Sequence, residues 1–183
     1  MFKTRDASNQ KAFTLIELLV VISIIGLLAS VILVSLNSAR GKSRDTARKQ
    51  TLRQIQKALE LYYDANSSYP VVPCYPGTCG GYSSEPGDVP SNGLGNNGDW
   101  IPGLAPTYVG KLPQDPLGGA SVIPICSGWK RSYYYKSDGQ NFKLIAHCSG
   151  ETPLGPDDTF YDPIRPNNNG WMVCSGEPAC STW

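Results

Sequence analysis

The chain has 183 residues, with 16 Lys and Arg against 15 Asp and Glu, and a formal net charge of +1. That balance excludes a global electrostatic case for nucleic acid or another polyanion. With roughly 36 residues assigned to a leader and an apolar run, the ~147 that remain suit one small globular domain, and nothing resembles an internally repeated array.

The chain opens on MFKTRDASNQKA, in which Lys3, Arg5 and Lys11 face a single acid, Asp6. Then comes FTLIELLVVISIIGLLASVILVSL, Phe13 to Leu36, whose one charge is Glu17. From Leu18 to Leu36 there are 19 residues without an ionisable side chain, and at ~1.5 Å per residue a helix of that length matches the ~30 Å hydrocarbon core of a bilayer. A core helix of a soluble domain would show a polar face. Here the polar residues are only Ser23, Ser30 and Ser35, with Gly26 as a helix weakener. A secretory signal peptide is shorter in its apolar part and ends in a small-residue cleavage site. Ala29-Ser30 lies inside the run, and Asn37-Ser38-Ala39 imitates such a site poorly. The sharp polar-to-apolar junction falls instead at Lys11-Ala12-Phe13.

K-A-F-T-L-I-E-L-L-V-V-I-S-I-I-G-L-L-A resembles the N-terminal signal of type IV pilins and type II secretion pseudopilins, the class III prepilins. The resemblance implies cutting between Ala12 and Phe13 on the cytoplasmic side by a membrane-embedded prepilin peptidase. It also implies methylation of the new Phe13 amine, and Glu17 as the fifth mature residue. This chain has Ala12 where the family usually has Gly, and Val34 where many members have a kink-forming Pro. Physics supports a special role for Glu17, since an ionisable side chain costs up to ~3 kcal/mol near the centre of an apolar span and less toward an end. The expected partner is the Phe13 amine of a neighbouring copy; the alternative is a Glu that snorkels to the headgroups. Ser23, Gly26 and Ser30, spaced by three and four, are a candidate packing stripe.

Asn37 to Asp64 is dense in helix formers, and Leu52, Ile55, Leu59 and Tyr62 form one apolar stripe. The helix is therefore expected to continue to about Asn66, with Gly41 as its weak point. This arm carries Arg40, Lys42, Arg44, Arg48, Lys49, Arg53 and Lys57 against Asp45 and Glu60. By the positive-inside rule so basic an arm belongs in the cytoplasm; the prepilin signal and the cysteines place it outside. Headgroup or DNA binding are possible uses of the cluster, but a solvated face that pairs between subunits is the simpler expectation.

Between Pro70 and Gly119 the chain is rich in Pro, Gly, Ser and Asn, an irregular excursion set with aromatics, Cys74 and Cys79. Ile101 to Tyr108 is expected to hold a short helix or turn. YVGKLPQDPLGG, Tyr108 to Gly119, resembles the L-P-x-D-P segment of pseudopilin heads, and its prolines exclude a helix. Strand signals follow at Ser121 to Cys126, Arg131 to Lys136 and Asn141 to Cys148, with Asp138-Gly139 as a hairpin turn. Trp171 to Cys174 is a further candidate strand. The expected fold is α+β, a long N-terminal helix packed by its apolar stripe on a small antiparallel sheet. The expected divisions are a leader at 1–12, a span at 13–36, an arm at 37–66 and an extracytoplasmic head at 67–183.

The six cysteines, Cys74, Cys79, Cys126, Cys148, Cys174 and Cys180, all fall in the head, as disulfides formed outside the cytoplasm do. Fifteen pairings are possible. The favoured ones are local: Cys74 with Cys79, Cys126 with Cys148, and Cys174 with Cys180. The C-x2-C spacings of a zinc site are absent.

Nothing here favours an enzyme. The single histidine, His147, is expected to be structural, and no nucleophile elbow, zincin or phosphate-loop motif occurs. No cofactor is expected, with one exception. Glu151, Asp157, Asp158 and Asp162 are calcium candidates, because a comparable C-terminal loop of major pseudopilins binds calcium; the spacing is not that of an EF-hand, and a solvated acidic loop is the alternative. Asn66-Ser67-Ser68 meets the N-x-S glycosylation pattern.

The family resemblance, strong over residues 8–70 and weaker over 108–119, implies a subunit of a helical homo-oligomeric filament. It further implies a prepilin peptidase, an assembly ATPase and membrane platform proteins as partners, and a single-pass cytoplasmic-membrane location before assembly. A surface pilin is the favoured reading and a type II secretion pseudopilin the first alternative. A minor pilin acting as an adhesin or DNA-binding module is the second.

Overall fold

The computed structural model describes residues 13–72, 99–118, 130–148, 150–165 and 170–183. Helix α1 spans Leu15–Asn66 and belongs to two compact units, one ending at Arg40 and the other beginning at Gly41. Backbone helix runs unbroken through Val34 and Gly41.

In the first unit the described large apolar side chains between Phe13 and Leu36 are all exposed, Phe13 and Leu15 at 81%. A helix that is apolar all round finds its burial outside its own chain. This one is long and apolar enough to cross a membrane. Ser23 and Ser30 donate their hydroxyls back to the carbonyls of Val20 and Leu27, which satisfies each hydroxyl within the helix.

The second unit is organised around a three-stranded antiparallel sheet. Strands β1 (Ser132–Ser137), β2 (Phe142–His147) and β3 (Gly170–Cys174) lie side by side in that order. Tyr135 stands opposite Leu144, and Leu144 opposite Val173. The β1–β2 turn is the expected Asp138-Gly139: Asp138 Oδ1 accepts from the amides of Gln140 and Asn141 at 2.9 and 2.7 Å, and Gly139 takes φ +95°, where a side chain would be strained.

One face of the sheet, Tyr133, Tyr135, Phe142, Leu144, Ala146, Trp171 and Val173, shares a core with Leu52, Ile55, Ala58 and Leu59 of α1. The apolar stripe and the sheet bury each other. Trp100, Ile101, Leu104 and Leu112 close the same core. Residues 101–108 are a run of turns, with Trp100 Nε1 donating to the carbonyl of Pro113 at 3.1 Å. The opposite face is buried too, since Tyr134, Ile145 and Lys143 have little or no exposure. The clean inside–outside alternation of a one-sided antiparallel sheet is therefore absent.

α1 stops where Ser67 turns left-handed at φ +56°, with its amide donating to the carbonyl of Tyr63 at 2.7 Å, a helix-ending geometry. A short helix α2, Ala179–Thr182, closes the described chain. Cys174 and Cys180 form a disulfide, and Cys148 is disulfide-bonded too. The leader to Ala12, Cys74, Cys79, Cys126 and the strand expected at Ser121 to Cys126 lie outside the described residues.

Candidate functional site

At the start of α1, Thr14 and Glu17 cap the helix for each other. The amide and hydroxyl of Thr14 both donate to Glu17 Oε2, at 2.9 and 2.6 Å, and the amide of Glu17 reaches Thr14 Oγ1 at 3.3 Å. This is a capping box: Thr14 is the N-cap residue, Glu17 stands three positions on, and two otherwise orphaned amides are satisfied reciprocally. The carboxylate also sits at the positive end of the helix dipole. Within its own chain Glu17 is thus engaged with Thr14. The signal was legible as T-x-x-E ahead of an apolar run, and a search for a partner only on another copy misses it.

In the second unit the basic arm and the acidic loop, both expected to be solvated, meet. Arg48 is fully buried and holds three carboxylates. Its Nε and Nη2 donate to Asp115 Oδ2 and Oδ1 at 2.7 and 3.0 Å, a two-pronged contact, while Nη1 donates to Asp45 at 2.9 Å and Glu151 at 3.1 Å. Asp45 accepts from the backbone amides of Glu151 and Thr152 at 3.1 and 2.8 Å. Arg44 also grips Glu151, its Nε donating at 2.6 Å to the same Oε1 that Arg48 reaches. Buried charges persist only when paired and hydrogen-bonded in this way.

Gly41, the expected weak point of the helix, is buried here because Glu151 lies against it. A Cβ at Gly41 would stand 3.1 Å from Glu151 Oε2. Burial alone would lower the Arg48 pKa, but its bonds to Asp115, Glu151 and Asp45 hold it well above the usual range. Arg44, with Arg48, holds the Glu151 carboxyl below the usual carboxylate value.

This clasp gives the L-P-Q-D-P segment a physical task. Asp115 fastens the segment to α1 through Arg48, and Asp115 Oδ1 also accepts from the amide of Leu117 at 2.8 Å. The missed signal was periodicity: Asp45 and Arg48 continue the stripe of Leu52, Ile55, Leu59 and Tyr62 at spacings of three and four, so they belong to the buried face.

The four calcium candidates are not brought together. Glu151 faces Arg44 and Arg48, Asp158 faces Lys49 at 2.8 Å, and Asp162 faces Lys143 and Arg165, each at 2.9 Å. Asp157 joins none of these pairs, and among the described residues no group of three or more His, Cys, Asp or Glu forms a metal-binding set. The loop is not solvated throughout, since Asp162 is 1% exposed while Asp157 is exposed. Lys143, buried beside it, also donates to the carbonyl of Trp183 at 2.7 Å; burial pushes its pKa down against the pull of Asp162.

His147 stacks on Tyr134 with ring centres 4.7 Å apart, and its Nδ1 lies 3.2 Å from the sulfur of disulfide-bonded Cys148. These are the surroundings of a structural imidazole. Asn66, the residue of the N-x-S pattern, donates its side-chain amide to the carbonyl of Tyr62 at 2.9 Å and to Tyr108 Oη at 3.3 Å. Of the seven basic residues in the arm, Arg44, Arg48 and Lys49 are taken by carboxylates of the head.

A family model described as the prokaryotic N-terminal methylation motif matches residues 7–33. The chain is 46% identical to the type IV wide pilus major component PilA4 of Thermus thermophilus over 61 residues, which is 33% of this chain and 47% of that protein. It is 30% identical to the type II secretion system core protein G of Klebsiella pneumoniae over 152 residues, covering 81% of this chain and 86% of that protein. Against the core protein G of Escherichia coli the identity is 30% over 129 residues, covering 65% and 74%. No solved structure matches.

Proposed function

Because the chain belongs to the type IV pilin and type II secretion pseudopilin family, we propose that this pilin-like subunit polymerises through its N-terminal helix into a type IV pilus-like filament. The observation that carries this is the run from Phe13 to Leu36, apolar on every side and exposed throughout its described length. Its burial needs lipid first and copies of itself afterwards.

A prepilin peptidase cuts between Ala12 and Phe13 and methylates the new amine. The second oxygen of Glu17, left over by the bonds from Thr14 to Oε2, then takes the Phe13 amine of the adjacent copy. An assembly ATPase and membrane platform proteins supply the extraction from the bilayer. The leader stays in the cytoplasm and the head lies outside. The use of Arg44, Arg48 and Lys49 inside the fold gives the basic arm a purpose other than retention in the cytoplasm.

A second reading, the pseudopilin of a type II secretion system, is favoured by one observation. The core protein G of Klebsiella pneumoniae aligns across 81% of the chain and that of Escherichia coli across 65%, whereas the pilus component aligns over 33% of it. Imaging intact cells with and without this chain separates the two. A pilin predicts surface filaments that vanish on deletion and do not return with Glu17→Ala; a pseudopilin predicts unchanged surface filaments and lost export of secreted proteins. Filaments and export both untouched by deletion contradict both.

A further inference from the structure

Part of the second face of the sheet lies under a lid that one covalent bond ties down. Lys136, Lys143 and Cys174 stand side by side across β1, β2 and β3, so the row sets two like charges directly opposite each other, a pairing that disfavours a sheet. The last residues of the described chain lie against this row. Lys143 is fully buried, and its ammonium has three protons to place. Asp162 Oδ1 takes one at 2.9 Å, while the carbonyls of Trp183 and Cys180 accept at 2.7 and 3.4 Å. Lys136 Nζ stands 4.5 Å from the centre of the Trp183 ring, and Ala179 of α2 is fully buried. Asp162 does not balance the row alone, because its other oxygen is held by Arg165 at 2.9 Å.

α2 has four residues, too few to persist by its own hydrogen bonds. It is tied to β3 by the disulfide between Cys174 and Cys180, six residues apart in sequence. A bond closing so short a loop favours the tied state on the order of fiftyfold through chain entropy. This bond is also within reach of a reductant: Cys174 and Cys180 are both half-buried, whereas Cys148 is 1% exposed.

We propose that the Cys174–Cys180 disulfide is a redox latch, which holds α2 and Trp183 as a lid over Lys143 and on reduction releases them, turning Lys143 into a reactive surface amine. A dithiol reductant supplies two electrons and two protons; the S–S bond breaks, both cysteines become thiols, and the dithiol leaves as its own disulfide. With the lid lifted, two donors of Lys143 lose their acceptors. A buried donor without a partner is costly, so water enters as the lid leaves, and small electrophiles follow. The core shared with α1 stays closed, since neither cysteine belongs to it.

The test is a short pulse of the N-hydroxysuccinimide ester of acetic acid on the full chain in detergent, read by peptide mass spectrometry at Lys143 against the exposed Lys57. In the oxidised protein Lys143 should react at least about tenfold more slowly than Lys57. Dithiothreitol, at a dose that leaves Cys148 closed to iodoacetamide, should raise the rate at Lys143 about tenfold or more and leave Lys57 unchanged. Cys174→Ser with Cys180→Ser should do the same without reductant, and in both cases the head should keep its cooperative denaturant transition. No rise at Lys143 in the reduced protein or in the double variant overturns the latch. A rise that comes only with loss of the cooperative transition overturns it as well, because the bond then staples the whole head. So does an oxidised protein in which Lys143 reacts as fast as Lys57.

Discussion

The two ends of α1 handle charge in opposite ways. Toward the N-terminus a single carboxylate, Glu17, stands among exposed apolar residues and is satisfied three residues away by Thr14. Beyond Gly41 the helix is rich in charge, and Arg44, Arg48 and Lys49 meet carboxylates more than sixty residues distant in sequence. An apolar segment with local polar satisfaction is complete in hydrogen bonds and incomplete in burial, so it must find burial outside its own chain. In the charged segment Arg44, Arg48 and Lys49 find their counter-ions within one chain. The first end looks outward for its burial and the second is tied into the fold of the head.

Removing Arg48 should separate the two ends most sharply. Arg48→Met leaves Asp45, Asp115 and Glu151 facing one another without their shared cation and should cost about 3–5 kcal/mol. A denaturant titration of the mature protein in detergent should show this as a large fall in midpoint for the head, with far-UV helix signal from the apolar run retained. Next in size, Gly41→Val pushes a branched side chain into Glu151 and should cost about 1–3 kcal/mol, read as a lower melting temperature. Loss of that effect in a Glu151→Ala background would tie it to this contact.

Acid should act through the same carboxylate. Glu151 has a folded pKa depressed from 4.5, first by the Arg44 hydrogen bond, so its contribution is complete above the unfolded value. It is lost as pH falls through the lower folded value. Melting temperature measured from pH 6 to pH 3 should therefore fall more steeply for the parent than for Glu151→Gln. At the other end, Thr14→Ala should cost about 1 kcal/mol of local helix stability, visible as faster amide exchange in the first turn and no change in melting of the head. Calcium should have the smallest effect. Glu151, Asp158 and Asp162 already face cations of the chain, so added calcium should leave the melting temperature within about 1 °C; a large rise would show that the ion displaces them.

The same comparison explains what the sequence disclosed. The apolar run, the stripe from Leu52 to Tyr62, the helix end at Asn66 and the Asp138-Gly139 hairpin are local patterns with one physical solution each, and the structure has them. The clasp is different. Arg48 and Asp115 are 67 residues apart, and no periodicity announces which acid a given arginine will meet. Only the continuation of the buried stripe through Asp45 and Arg48 hinted that these charges turn inward. On the second face of the sheet Lys143 is buried with Asp162 as its counter-ion, a tertiary contact that strand alternation cannot foretell. Gly41 taught something else again: its missing side chain makes room for Glu151, a contact that no local pattern shows.

The central claim is that the apolar end of α1 is freed at Phe13 and buried against identical helices. Intact-mass and N-terminal sequencing of the protein recovered from filaments tests it most directly. The account predicts a chain that begins at methylated Phe13; a chain that still begins at Met1 contradicts it.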